Sequence, residues 1–375
     1  MSTLRSCITA RTRQSLSTFL TGSHSALARR WTHTTPPGSP KTSRSVLNRE
    51  EYRSKHFVEN KIELRTRLKG APYNIARLAD LVRQVSDKPG PCEKDLLDNP
   101  DYDSLFLGTN EAEVETYYST QVFPAVAGSR ALTRSIRYSL RQETVPNLNS
   151  KFKISRPAPD LLYGYKFPGA FSQSQHARLG ALGLDTPATT QLHHPPFFPF
   201  FPIEFKGESG KLYVAVNQCV GGSVACVHLM EQLKAKLQQH ATANNLPNLT
   251  NLSNALDTAA FSVAMNGTTA FVFITWRHYG GKEEPHFIMA PVETFTLHST
   301  EDYREFYSMV QNTVSWGAGE RLRGIRACLD VVRIEQARGK SVEERRGTGR
   351  RGSSSGAATK TAAAAGGHQR RMIEA

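Results

Sequence analysis

Cysteine is scarce in this chain: five in 375 residues, at positions 7, 92, 219, 226 and 328, with no CxxC pair among them. The histidines stand singly apart from His193-His194, so zinc-type ligand spacing is absent. A sparse, odd cysteine set suits a reducing compartment with free thiols. No uninterrupted apolar run approaches the roughly 20 residues of a membrane span, so a soluble chain with no membrane segment is expected. No internal repeat is visible.

Acid is missing from the start of the chain. Residues 1–49 hold seven Arg and Lys41 without one Asp or Glu, a charge of +8, and residues 333–375 hold ten Lys or Arg against four Glu, a charge of +6. Since the whole chain carries +14, the segment 50–332 is neutral overall. The basicity belongs to the tails and says little about anion binding by the folded part. The leader, rich in Arg and Ser with Leu4, Ile8, Leu16, Phe19 and Leu20 on its apolar side, has the composition of a mitochondrial transit peptide. A plain basic leader with a nuclear address is the other reading, so the expected location is the mitochondrial matrix or the nucleus.

Four zones follow: a basic leader at 1–50, disordered or a transit peptide; a helical lead-in and loop at 51–104; the main domain at 105–333; and a low-complexity basic tail at 334–375 that has too little apolar content for a core. In the middle, helices are expected at 73–85, at 110–122 behind an Asn110 cap with acidic first-turn residues, at 129–141, and at 223–240. Strands are expected at 152–154, 160–165, 200–206, 212–218 and 286–297. Residues 166–198 and 243–254 read as connections. Asn266-Gly267 marks a hairpin between 261–265 and 269–276. A long helix from Ser299 or Thr300 toward Val332 is expected to break near Gly317–Gly319. The pattern is a mixed α/β fold, a central mixed sheet flanked by helices.

Two short motifs carry the chemistry. Pro159-Asp160 opens PDLLYGY, and Glu204-Phe205-Lys206 closes the apolar run FFPFFPIEFKG. Glu204 and Lys206 share one strand face, Phe205 the other. If Asp160 begins a neighbouring strand, the two carboxylates and the Phe205 carbonyl can hold Mg²⁺ or Mn²⁺, which polarises a phosphodiester and acidifies a bound water. Lys206 can orient that water or neutralise charge on the phosphate. The bland alternative is a solvated strand end with Glu204 paired to a base and Asp160 capping a turn. Cys219 and Cys226 read as buried small apolar residues, and Trp276 and His278 as core and surface turn.

The order of helix, PD strand, E-x-K strand and following helix resembles the PD-(D/E)XK nuclease superfamily, the restriction-endonuclease-like fold. The run PIEFKG…LYVAVNQCVGGSVACV is similar to an uncharacterised fungal domain family with such a core, over roughly residues 105–330. The resemblance implies Asp160 and Glu204 as metal ligands and Lys206 as the catalytic amine. It also draws Gln218 toward the site and offers Glu113 or Glu115 as an acid from the first core helix.

Arg130, Arg134, Arg137 and Arg141 recur at steps of four, three and four, which on a helix makes one basic stripe. Lys151, Lys153 and Arg156 extend it toward Asp160, so this run is the expected nucleic-acid contact; a solvated helix face is the alternative. The expected function is metal-dependent phosphodiester hydrolysis, with DNA ahead of RNA as partner. The alternative is a catalytically inactive PD-(D/E)XK-like module that binds nucleic acid or protein.

Overall fold

The computed structural model describes residues 47, 51–86, 90–126, 128–189, 195–280 and 284–333. Apart from Leu47, the expected leader and tail lie outside the described residues, as does His193-His194. Seven strands, β1 (Ile62–Leu64), β2 (Leu132–Ile136), β3 (Leu161–Tyr165), β4 (Phe197–Phe205), β5 (Ala260–Met265), β6 (Thr269–His278) and β7 (His286–Thr296), form one mixed sheet in the order β1-β7-β6-β5-β4-β3-β2. The pairs β1/β7 and β4/β5 are parallel and the rest antiparallel. The helices are α1 (Tyr73–Arg83), α2 (Glu93–Leu97), α3 (Pro100–Ser104), α4 (Glu111–Gln121), α5 (Gln173–Ala181), α6 (Leu212–Ala243), α7 (Pro247–Asn254), α8 (Thr300–Trp316) and α9 (Leu322–Val331).

Every residue of β3, β4 and β5 is buried, because helices and loops cover both faces of the central sheet. Tyr163, Phe201, Ile203, Phe205, Phe261 and Val263 enter one core with α1, α4 and α8. Leu162, Ala260, Ala264 and Met289 enter the other, beneath the N-terminal half of α6 from Val214 to Val227. Strand alternation thus gives β4 a side facing α6, and that side carries Glu204.

Helix α6 departs most from expectation. Residues 212–218 were expected as a strand and Gly221-Gly222 as a helix entry, yet one helix runs through both. Its first turns are buried nearly all round, so no polar face reveals the 3.6-residue period. The glycines serve close approach: a Cβ on Gly222 would stand 3.1 Å from the Pro202 Cβ, and one on Gly221 3.3 Å from Ile154. Helix α6 is long and apolar enough to cross a bilayer, but 72% of its apolar window is buried within the fold, as a core helix requires.

Residues 129–141, expected as a helix, contain the edge strand β2 paired with β3. The four-residue spacing of Leu132 and Ile136 is even, and so fits a period of two as well as a helix face. Residues 152–154 form no strand. The supposed connections each contain a helix. Ser172 and Gln175 make a reciprocal cap at the start of α5, and Pro247 occupies the first turn of α7. Near Gly317 the last helix widens into a single π-type turn, Gly317–Arg321, rather than breaking.

Candidate functional site

Leu161 pairs with Ile203 across the antiparallel β3–β4 ladder, so one step further along Asp160 stands opposite Glu204. Both point to the α6 side, and Lys206, two residues on, shares it. Phe205 turns into the opposite core. The Phe205 N–H donates to Asp160 Oδ2 at 2.8 Å, which fixes that carboxylate beside the strand end. Glu204 is 1% exposed, and its Oε2 has no hydrogen-bond partner. Lys206 donates through Nζ to the Phe205 carbonyl and stands 3.6 Å from Glu111 Oε2.

Burial pushes the Glu204 carboxyl well above the usual range, and the Asp160 charge adds to it against the opposing pull of Lys206. Asp160 is also raised, chiefly by burial, with the Phe205 N–H and Lys206 holding it down and Glu115 and Glu111 pushing it up. Two buried acids with excess negative potential make a site that favours a cation or a proton.

Glu111 is the residue that sequence reasoning missed. Glu113 is consumed by the helix cap, accepting from the Asn110 N–H at 3.3 Å, and Glu115 pairs with Arg137. Glu111, in the same acidic first turn, faces Lys206 because Gly207 lets α4 approach: a Cβ there would lie 2.7 Å from the Glu111 nitrogen. The glycine after E-x-K was the available signal.

A cavity of about 290 Å³ opens on this cluster, lined by Asp160, Glu204, Gln218, Arg137, Arg156 and Tyr52 among others. Gln218 reaches it from α6, not from a strand end, and its Oε1 also lacks a partner. Among the described residues no three His, Cys, Asp or Glu side chains converge as a complete metal shell. Asp160 and Glu204 are of the donor type that Mg²⁺ takes, since it keeps several waters and binds through one or two carboxylates plus substrate phosphate, while the Phe205 carbonyl is taken by Lys206. The unpartnered Glu204 Oε2 is the acceptor such an ion would satisfy.

The expected arginine stripe dissolves, because its residues lie on β2 and its flanks. Arg134 donates through Nη1 to the Ser119 and Phe123 carbonyls, tying the end of α4 to the sheet. Arg137, with φ of 54° and a side chain 60% exposed, sits at the cavity beside Glu115. Arg156 lines the same cavity and donates to the Leu140 carbonyl at 2.7 Å. Arg141 lies 3.4 Å from Glu143, while Arg130, Lys151 and Lys153 are exposed. The Cys219 thiol donates to the Val263 carbonyl, and burial together with Glu204 pushes it well up, so it is no thiolate nucleophile. Trp276 is core, at 2% exposed.

Residues 106–329 match the profile of DUF7924, a domain of unknown function. No curated protein matches the chain.

Proposed function

Since the chain belongs to the DUF7924 family, we propose from the site itself that it is a metal-dependent phosphodiesterase with a PD-(D/E)XK nuclease-like core, acting on DNA ahead of RNA. The observation that carries this reading is the pairing of Asp160 with Glu204 across β3 and β4, with Lys206 on the same face. Asp160, Glu204 and the Phe205 carbonyl would hold Mg²⁺ or Mn²⁺, which when bound supplies Lewis-acid polarisation of the phosphate and a more acidic water. Lys206, 3.6 Å from Glu111, would orient the attacking water and offset charge growing on the phosphate oxygens. Gln218 would hold that water from the α6 side. Arg137 and Arg156 would grip the phosphate being cut, with Arg130, Arg141, Lys151 and Lys153 on the flanking strand path. Arg134, held by two carbonyls, is left out of the contact. The mitochondrial matrix or the nucleus is the proposed location.

One observation favours the inactive-module reading: the Lys206 ammonium occupies the Phe205 carbonyl, an oxygen the metal would use. The test is incubation of the full chain with single-stranded DNA and with plasmid DNA, each with Mn²⁺, beside Glu204→Ala and Lys206→Ala. Cutting by the parent alone supports the enzyme. Binding with no cutting supports the inactive module, and equal cutting by all three denies this site the activity.

A further inference from the structure

We infer that the site takes an unpaired strand, a free end or a nucleotide displaced from its partner, and excludes an intact duplex. The inference rests on the phosphodiesterase reading and adds the form of the substrate. The groups that would do the chemistry are recessed: Asp160, Glu204 and Lys206 are 7%, 1% and 7% exposed. Groups this recessed favour a phosphate that can leave the outside of a stacked helix over one held within it. The cavity, about 290 Å³, lies at the small end of ligand pockets; it has room on the scale of one nucleotide and none for a base pair.

The wall that makes it recessed is built from outside the matched domain. Leu47 and Tyr52, both buried, close one side of the cavity. This lead-in is fastened to α6 and to the loop before β3. Asn217 donates to the Leu47 carbonyl at 3.0 Å, Arg53 donates to Asn217 Oδ1 at 2.7 Å, and the Arg53 guanidinium lies 4.1 Å from the Tyr213 ring centroid. Asn60 donates to the Phe152 carbonyl at 2.8 Å, and the His56 ring bonds the Lys153 carbonyl. The lining divides by chemistry as a nucleotide does. Leu47, Tyr52 and Pro157 form a buried, apolar wall against which a base or sugar would rest, whereas Arg137 and Arg156 bring charge to the phosphate. Entry into such a pocket requires unstacking, which is easiest for a base already unpaired.

The experiment uses the full chain with Mn²⁺ on one DNA sequence in four forms: single strand, duplex with an unpaired flap, blunt duplex, and covalently closed circular duplex without supercoils. We expect the single strand and the flap to be cut at least about 100-fold faster than the closed circle. In parallel, fluorescence anisotropy of Glu204→Gln in Ca²⁺ reads binding without turnover, and the single strand should bind at least about tenfold tighter than the blunt duplex. Equal cutting of the closed circle and the single strand, abolished by Glu204→Ala, overturns this inference while the phosphodiesterase reading stands. Cutting of no form, with no preference in binding, overturns both.

Discussion

Asp160 and Glu204 face each other across the β3–β4 pairing although 43 residues separate them in the chain. The intervening segment leaves the sheet, contains α5, and returns as the nine-residue strand β4. The site follows from that one register. A slip by one residue would turn Glu204 into the opposite core and Phe205 toward α6.

The first consequence concerns pH. Burial raises Glu204 in the fold, so the unfolded chain gives up its proton first as pH climbs. Stability is then full below the ordinary carboxylate value of 4.5 and drains away as pH rises toward the folded one. Glu204→Gln cannot ionise. In metal-free buffer it should match the parent at low pH and exceed it by roughly 1–3 kcal/mol at about pH 8, read by urea unfolding. Parallel pH profiles would place the buried charge elsewhere.

Arg134 and Arg137, three residues apart, are expected to behave as different kinds of residue. Arg134→Ala removes two part-buried hydrogen bonds to main-chain carbonyls and should cost about 1–3 kcal/mol of stability, leaving the salt dependence of DNA binding unchanged. Arg137→Ala loses only an ion pair on a largely exposed side chain, worth at most about 1 kcal/mol. It should lower the slope of log affinity against log salt by about one. Similar slopes for both variants would remove Arg137 from the phosphate contact.

Arg137 also holds a left-handed backbone, φ 54°, that a side chain resists by about 1–2 kcal/mol. Arg137→Gly should therefore be more stable than Arg137→Ala by about 1 kcal/mol, while binding DNA equally weakly. Thermal unfolding and a salt titration on the same samples check both halves.

Packing of the last helices against the sheet depends on Gly317, where an added Cβ would overlap the buried Phe200 ring. Gly317→Ala should destabilise by about 1–3 kcal/mol even though alanine favours helix by up to about 1 kcal/mol. A neutral result would mean that the ring and α8 separate easily.

The legible parts of this fold carried local chemistry. The Asn110 cap, the Asn266-Gly267 turn and the Ser299 cap each fixed an element through a few hydrogen bonds. The shared face of Glu204 and Lys206 followed from strand alternation alone. What failed was decided by partners distant in sequence. Leu132–Ile136, inside the expected helix at 129–141, became a sheet edge because β3 was available to pair, and the helical period of 212–218 was hidden because its first turns are buried nearly all round. The arginine stripe fell with the first of these. Glu111 was overlooked because its role depends on Gly207, 96 residues on, letting two elements meet.

Whether Asp160 and Glu204 share one divalent ion is read by Mn²⁺ binding followed by electron paramagnetic resonance. One ion should bind per full chain, weakened at least about tenfold, or about 1.4 kcal/mol, in both Asp160→Asn and Glu204→Gln. Manganese that binds the two variants as tightly as the parent, or does not bind the parent at all, would contradict a shared ion.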